Sequence, residues 1–260
     1  NRPSAAATLL ALIRQARHIR IVYAFQSPAG IARNLDQFKP AVAVLMAEDA
    51  SEEMRSILRD RGIAGLVLDR MGARPLEGCE RSSAAWNEPL AGPEIQILTI
   101  GTTGPPKQFT ISYELMANDM VGANIFVSAR SAEASTAPPF LYFPIGNISG
   151  LYSTLPSLMH GVPVVLADRF SLKAWHDYIL RHRPVALGVP PAAVQMVLEA
   201  GIPPEDLASV RWITTGAAPL DPAVHRAFEA RYGIPILLSY GATEFAGPAV
   251  IMTPDLYPEW

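Results

Sequence analysis

The alternation of short apolar runs with helix-patterned segments constrains this fold more than any other feature of the sequence. Runs of strand length, such as 41–46 and 63–68, are each followed by a segment whose apolar residues recur at helical spacing. Strands of a parallel sheet read as continuous apolar runs because helices cover both of their faces. The alternation therefore predicts an α/β protein with mostly parallel sheets and helices on both faces.

The pattern also places individual elements, with proline, serine, aspartate and glycine marking several helix ends. The predicted strands cover residues 19–24, 41–46, 63–68, 94–100, 140–143, 163–166, 185–188, 210–214 and 236–239. The predicted helices cover residues 4–17, 28–39, 51–60, 112–129, 148–160, 171–182, 191–200 and 221–232.

One change of composition suggests a division of the chain. Residues 69–93 are rich in Arg, Gly, Ser, Glu and Pro and show no periodicity. The stretch predicts a loop and the only candidate boundary, between a partial α/β subdomain at 1–93 and a second α/β region at 94–260. A second loop, rich in Ser, Ala and Pro, is predicted at 131–139.

Composition excludes several classes of function. A formal net charge of −3 offers no basic footprint for nucleic acid. The single cysteine, Cys79, excludes an internal disulfide framework and thiolate-rich zinc sites. Its polar, glycine-rich surroundings predict a solvated loop thiol. No apolar run approaches the roughly 20 residues that span a bilayer, and no secretory leader is visible, so a cytoplasmic protein is predicted.

Three loops rich in Gly and Thr follow predicted strands, where α/β sheets collect their ligands. The first, residues 99–107, has the sequence TIGTTGPPK. Its glycines would let the backbone approach an anion, and its Thr hydroxyls and Lys107 could bind phosphate oxygens. It is not a Walker loop, because Lys107 follows a proline and precedes a glutamine. A simple Gly-Pro turn explains its spacing equally well.

The other two loops, residues 214–220 and 239–244, carry a different chemistry. The small residues of TTGAAPL suit a flat ring that lies against backbone, although a tight strand-to-helix connection has the same composition. SYGATE combines a ring, a hydroxyl and a carboxylate, and a carboxylate beside phosphates usually indicates Mg²⁺. By itself, a Thr-Glu pair more often begins a helix.

Taken in this order, the three loops resemble the signatures of the adenylate-forming (AMP-binding) superfamily, of the acyl-CoA synthetase and ligase type. TIGTTGPPK is similar to its phosphate-binding T-S-G-T-T-G-x-P-K-G, GAAPL to its adenine segment, and YGATE to its Y-G-x-T-E motif. Residues 144–150 resemble its P-x-x-H-x-x-G stretch and 189–191 the turn before a substrate-lining helix. The resemblance runs from about Ile19 to Glu244.

The resemblance implies a set of site residues. Catalysis would involve Lys107, Thr243 and Glu244, with Glu244 as the Mg²⁺ ligand. Nucleotide binding would involve Thr102, Thr103, Gly104, Lys107, Gly216, Ala217, Ala218, Tyr240, Gly241 and Thr243. The acid pocket would be formed by Asn147, Gly150, Gly216 and Ala242, whose small members leave room for a sizeable acyl or aryl group.

The implied activity uses ATP and Mg²⁺ to convert a carboxylic acid to an acyl-adenylate, followed by thioester formation with CoA. The resemblance leaves two alternatives open, an adenylation enzyme that loads a carrier protein and a degenerate, non-catalytic module that binds a nucleotide or acyl ligand. Ile100, Gln108 and Asn147 depart from the family pattern, where Ser, Gly and His are usual. Because the family's ribose-binding Asp motif, hinge and C-terminal domain have no counterpart, we expect a truncated large N-terminal domain with weak or no activity by itself.

Overall fold

The computed structural model describes residues 2–22, 26–81, 92–99, 107–122 and 137–257. The chain divides into two compact units, Asn1–Leu115 and Met116–Trp260. Most of the stretch around the predicted boundary at residue 93, residues 82–91, lies outside the described residues. The subdomain boundary at that position therefore stays a prediction.

The long helices of the first unit lie close to their predicted positions, and the second and third begin at serine caps. They are α1 (Pro3–Arg14), α2 (Pro28–Phe38) and α3 (Glu52–Asp60). The Oγ atoms of Ser27 and Ser51 each accept a hydrogen bond at 3.2 Å, from the amides of Gly30 and Met54. These hydroxyls satisfy amides that lack a partner in the first turn of a helix.

The first unit contains two three-stranded sheets. Its strands are β1 (Ile19–Ile21), β2 (Val42–Met46), β3 (Ala64–Asp69), β4 (Gly72–Pro75), β5 (Glu94–Thr99) and β6 (Lys107–Ser112). One sheet has the order β1-β5-β6 and the other β2-β3-β4. The pairs β1–β5 and β2–β3 are parallel, whereas β3–β4 and β5–β6 are antiparallel.

Two strands of this unit depart from the sequence predictions. β4 lies in the stretch predicted as a loop, and all four of its residues are exposed, so no apolar pattern marks it. β6 is also mostly polar and exposed, with Ile111 buried. The helix predicted at 112–129 is wrong at its start, because Ser112 ends β6 and a helical turn at Tyr113–Leu115 follows. A π-helix covers Met116–Gly122, and residues 123–129 lie outside the described residues.

Cys79 is buried, which corrects the prediction of a solvated thiol. It is 5% exposed and packs in a cluster with Leu58 and Leu76. The Gly65 amide donates a hydrogen bond to the Cys79 carbonyl oxygen at 2.7 Å, which fixes this segment beside β3. The sequence did not indicate this burial for two reasons. The neighbours of Cys79 are polar, and its backbone bond is to Gly65, which is not a near neighbour in sequence.

The second unit is built around a four-stranded sheet. Its helices are α4 (Ile148–Met159), α5 (Leu172–His182), α6 (Pro191–Glu199) and α7 (Pro222–Tyr232). Its strands are β7 (Phe140–Leu141), β8 (Val165–Leu166), β9 (Ala186–Gly188), β10 (Trp212–Thr215), β11 (Ile236–Ala242) and β12 (Gly247–Ile251).

The order of this sheet is β12-β11-β10-β9. β9, β10 and β11 are parallel, whereas β12 is antiparallel to β11, and β7 and β8 form a separate parallel pair. The parallel part was predicted from its apolar runs, but β12 was not. The predicted α/β class with mostly parallel sheets is confirmed.

An apolar cluster holds α5, α6 and α7 on this sheet. Trp175 of α5, Phe228 of α7 and Ile236 of β11 are fully buried in it. Burying each such side chain contributes about 1.5–3 kcal/mol. The packing fixes the carboxyl ends of β9, β10 and β11, from which the loops of the candidate site emerge.

Among the described residues, we find no helix with the length and apolar character needed to cross a membrane.

Candidate functional site

A pocket of about 550 Å³ lies at the carboxyl ends of β10 and β11 in the second unit. The segment Thr215–Leu220 forms one side of it, and Leu238–Tyr240 of β11 forms the base. β12 and the residues after it close the other side. The lining consists of Thr215, Gly216, Ala218, Pro219, Leu220, Leu238, Ser239, Tyr240, Val250, Ile251, Met252 and Leu256.

The two hydroxyl groups at the base of the pocket bind backbone rather than pointing freely into it. Ser239 Oγ donates to the Thr215 carbonyl oxygen at 3.2 Å, and Thr215 Oγ1 donates to the Val189 carbonyl oxygen at 2.8 Å. These bonds tie β11 to β10 and β10 to the turn after β9. The pocket therefore presents mainly apolar side chains and backbone groups, as small-molecule sites usually do.

The connection from β10 to α7 needs the glycine at position 216. A Cβ there would overlap Ser239 Oγ and would lie 2.8 Å from the Ser239 carbonyl oxygen. The next residue, Ala217, has a φ of 67°, in the left-handed region that costs a non-glycine residue about 1 kcal/mol or more. Asp221 ends the connection by accepting a hydrogen bond from the Ala223 amide at 2.6 Å.

Tyr240 presents its ring at the edge of the pocket. Its side chain is 66% exposed, and its cross-strand neighbour Val250 is 64% exposed. The register between β11 and β12 shifts just beyond this pair, so that Gly241 faces Pro248. A bulge of this kind redirects the side chains around it. The exposed ring offers a face on which a flat ligand can stack.

Glu244 supplies the acidic group of the predicted YGATE motif. It lies in a 3₁₀ turn, Thr243–Phe245, directly after β11, and it is exposed. No partner of its carboxylate is recorded among the described residues, nor do they contain a cluster of three or more acidic, His or Cys side chains that could hold a metal. A divalent cation here would need phosphate or water oxygens as further ligands, which suits Mg²⁺.

One of the four predicted acid-pocket residues lines this pocket. Gly216 lines the pocket, whereas Asn147, Gly150 and Ala242 do not belong to the described lining. Asn147 Oδ1 accepts a hydrogen bond from the Gly150 amide at 2.8 Å and so caps α4. A Cβ at Gly150 would overlap the Pro144 carbonyl oxygen. Both residues thus shape the start of α4, and their role toward an acid stays a prediction.

The predicted phosphate-binding residues belong to the first unit. Lys107 is exposed and begins β6, where it pairs with Thr99 of β5. An antiparallel strand thus begins at Lys107, and the sequence did not predict this strand. Thr102, Thr103 and Gly104 lie outside the described residues.

Sequence reasoning missed the wall formed by Val250, Ile251, Met252 and Leu256. A signal was present, because residues 246–252, AGPAVIM, form an apolar run of strand length. The run follows directly on the YGATE motif and contains a glycine and a proline, which obscured it.

Comparison with known proteins gives a consistent result. The sequence model described as AMP-binding enzyme matches residues 1–260. A sulfoacetate–CoA ligase from Cupriavidus necator is 33% identical over 211 residues, which cover 77% of this chain and 40% of that protein. A 4-coumarate–CoA ligase from Oryza sativa subsp. japonica is 26% identical and covers 88% of this chain and 42% of its own length.

Solved structures show the same fold. The O-succinylbenzoate coenzyme A synthetase from Bacillus subtilis, in complex with ATP and a magnesium ion, superimposes with a TM-score of 0.74 at 18% identity. It covers all of this chain, which spans 52% of that protein. MatB from Rhodopseudomonas palustris, with ATP bound, gives a TM-score of 0.72 over 93% of this chain and 48% of its own. The chain thus spans about half the length of the proteins it matches.

Proposed function

Because the chain belongs to the AMP-binding enzyme family, we propose that it forms the nucleotide- and acid-binding part of an enzyme that activates a carboxylic acid with ATP. The pocket at the ends of β10 and β11 carries this proposal. It joins the GAAPL segment and Tyr240 in one apolar space of about 550 Å³. These are the two motifs that the sequence resemblance assigns to adenine.

In this proposal the adenine ring lies between backbone and an aromatic face. The backbone at Gly216, Ala217 and Ala218 flanks one side, and the Tyr240 ring stacks on the other. Small side chains at 216–218 let the base approach the backbone closely. The apolar lining excludes water from the base, so that the backbone groups supply its polar contacts.

The triphosphate is held by the remaining motif residues in this proposal. By the resemblance, Thr102, Thr103 and Lys107 donate to the β- and γ-phosphates, Gly104 belongs to the same nucleotide-binding motif, and Thr243 donates to the α-phosphate. Glu244 is the ligand for Mg²⁺, which, when bound, neutralises phosphate charge. Glu244 is exposed and has no partner for its carboxylate in the described part of the chain, which supports this assignment.

The reaction places a carboxylate against the α-phosphorus of ATP. The carboxylate oxygen forms the new P–O bond, the bond to the bridging oxygen breaks, and pyrophosphate leaves with its electron pair. Such chemistry depends on positioning and on stabilisation of developing charge rather than on a covalent group of the protein. Lys107 and the two threonines are therefore binding groups for the leaving pyrophosphate.

The sulfur of a thiol then attacks the acyl carbon of the adenylate, a thioester bond forms, and AMP leaves as the bond between the acyl carbon and the phosphate oxygen breaks. We propose CoA as the acceptor, since the relatives reported above are CoA ligases by name, with a carrier protein as the alternative. The small residues Gly150, Gly216 and Ala242 of the predicted acid pocket favour an acid with a sizeable acyl or aryl group. The proposal keeps the predicted cytoplasmic location.

Acid-dependent exchange of pyrophosphate into ATP by the complete gene product tests this function, with a panel of short, long-chain and aromatic acids. ATP binding by the same preparation is measured by calorimetry in parallel. Exchange with any acid supports the proposal, and the ranking of acids identifies the substrate class. ATP binding without exchange favours the non-catalytic module, whereas a folded chain that binds neither ATP nor AMP contradicts both readings.

A further inference from the structure

The segment that follows β12, residues 252–257, forms part of the pocket wall through Met252 and Leu256. Its start is held by the sheet, because the Met252 amide donates to the Leu238 carbonyl oxygen at 2.9 Å. Its middle is a turn in which the Leu256 amide donates to the Thr253 carbonyl oxygen at 3.1 Å. We call residues 252–257 the wall segment.

The far end of the wall segment is fixed by one carboxylate. The Tyr257 hydroxyl donates to Glu229 Oε1 of α7 at 2.8 Å. The same oxygen accepts the Ile236 amide at 2.8 Å and lies 3.0 Å from His225 Nε2. A single carboxylate oxygen thus joins a helix, the first residue of β11 and the wall segment.

The Glu229 carboxylate is thereby linked to the base of the pocket and to one of its walls. Ile236 begins the strand whose later residues, Leu238–Tyr240, form the base of the pocket. Tyr257 follows Leu256, which lines the opposite wall. Leu256 is half exposed, so its own packing holds the wall segment only weakly. The hydrogen bond to Glu229 is therefore a main constraint on where Leu256 lies.

We propose that Glu229 and Tyr257 are positioning residues for the nucleotide pocket, which hold the wall segment in place before a ligand arrives. This inference rests on the proposed function, because it takes the pocket as the nucleotide site. Neither residue belongs to the lining of the pocket. They act on a ligand only through Leu256, Met252 and the part of β11 that forms the base of the pocket.

Tyr257→Phe is the direct test, since it removes one hydroxyl and leaves the ring. Hydrogen exchange of residues 252–257 reports on the wall segment, and calorimetry with AMP and ATP reports on the pocket. We expect faster hydrogen exchange in this segment and a roughly three- to tenfold higher Kd, because only part of the stabilisation by one hydrogen bond to a charged group is passed on to the ligand.

Tyr232→Phe is the matched control. Its hydroxyl donates to the Val197 and Ile202 carbonyl oxygens at 3.3 and 3.0 Å, and Tyr232 ends the same helix. The control should lose comparable stability without a change in Kd or in exchange of the wall segment. Glu229→Gln keeps an acceptor oxygen for Tyr257, so it should weaken binding less than Glu229→Ala.

The outcomes separate this inference from the proposed function. If the wild-type chain binds nucleotide and Tyr257→Phe changes neither the Kd nor the hydrogen exchange of the wall segment, the positioning role is overturned. Equal losses of affinity in Tyr257→Phe and Tyr232→Phe would also overturn it, because a general loss of stability would then explain both. A wild-type chain that binds no nucleotide overturns the proposed function, while the exchange measurement still decides whether Tyr257 fixes the wall segment.

Discussion

The hydroxyl of Ser239 donates a hydrogen bond to the Thr215 carbonyl oxygen at 3.2 Å, and this bond joins the middle of β11 to the end of β10 at the base of the pocket. The arrangement leaves no space for a side chain at Gly216, because a Cβ there would overlap the Ser239 hydroxyl. The packing of β11 against the GAAPL segment thus requires a glycine at position 216, whether or not a ligand is bound.

Gly216→Ala should destabilise the protein by about 1–3 kcal/mol and weaken nucleotide binding, since the added methyl group forces β11 to shift. Urea denaturation and calorimetry measure the two effects. Ser239→Ala should restore part of the lost stability, because it removes one of the overlapping atoms. Gly188→Ala is the control, since its Cβ would make only ordinary contact, 3.6 Å from Thr214 Oγ1. Equal effects at the two glycines would contradict the account.

Tyr240→Ala should raise the Kd for AMP about tenfold or more, because stacking of a base on an aromatic ring contributes about 1–3 kcal/mol. The stability of the protein should change little, since this side chain is largely exposed. Tyr240→Phe keeps the ring and should bind almost as the wild type does. Phe245→Ala removes an equally exposed ring outside the pocket lining and should leave the Kd unchanged.

Glu244→Gln should abolish magnesium-dependent pyrophosphate exchange without loss of stability, because its exposed carboxylate is proposed to bind Mg²⁺. A titration of exchange rate against Mg²⁺ concentration, together with a thermal melt, checks both parts. Glu205→Gln is the control, since Glu205 is an exposed carboxylate in a similar 3₁₀ turn, Pro204–Leu207. Exchange at the wild-type rate in Glu244→Gln would contradict the metal assignment.

Glu229 predicts a specific loss of stability in acid. Burial by itself raises the Glu229 pKa, but hydrogen bonds from Ile236, Tyr257 and His225 outweigh it and hold the pKa below its ordinary value of 4.5. The native state therefore binds fewer protons than the unfolded state near that pH. The stabilisation is fully present above pH 4.5 and is lost as the pH falls through the lowered pKa.

Urea denaturation between pH 6 and pH 3 measures this loss, with two-state unfolding verified at each pH. In Glu229→Gln, which cannot titrate at this position, the free energy of unfolding should fall less steeply across the acid range. Parallel pH profiles for the two proteins would show that the Glu229 carboxylate contributes no linked stability.

The parallel core of the second unit could be predicted from sequence, because local signals determine it. β10 and β11 are apolar runs, and Asp221 and Pro222 mark the start of α7. Once these strands are predicted, the positions of the loops that come after them are predicted as well. The GAAPL segment and Tyr240 therefore appeared in advance as parts of a shared site, and the structure brings them together in one pocket.

The elements that were missed depend on contacts between distant residues. β4 is exposed on all its residues, so its pairing with β3 leaves no mark in the pattern of apolar residues. Cys79 is buried through a backbone bond to Gly65, and Tyr257 is anchored to Glu229 across 28 positions of sequence. Asn147 lies at the helix entry that the resemblance indicated, and its side-chain oxygen caps α4 by accepting a hydrogen bond from the Gly150 amide.

The left-handed conformation of Ala217 has a consequence for the speed of binding. Alanine explores fewer conformations than glycine in the unfolded chain, and here the fold holds it at a φ of 67°. The backbone that would meet the base is thus set during folding, and little ordering is left for the encounter with a ligand. Association should then approach the rate of diffusion into the open pocket, and differences in affinity between ligands should lie mainly in how slowly each one leaves.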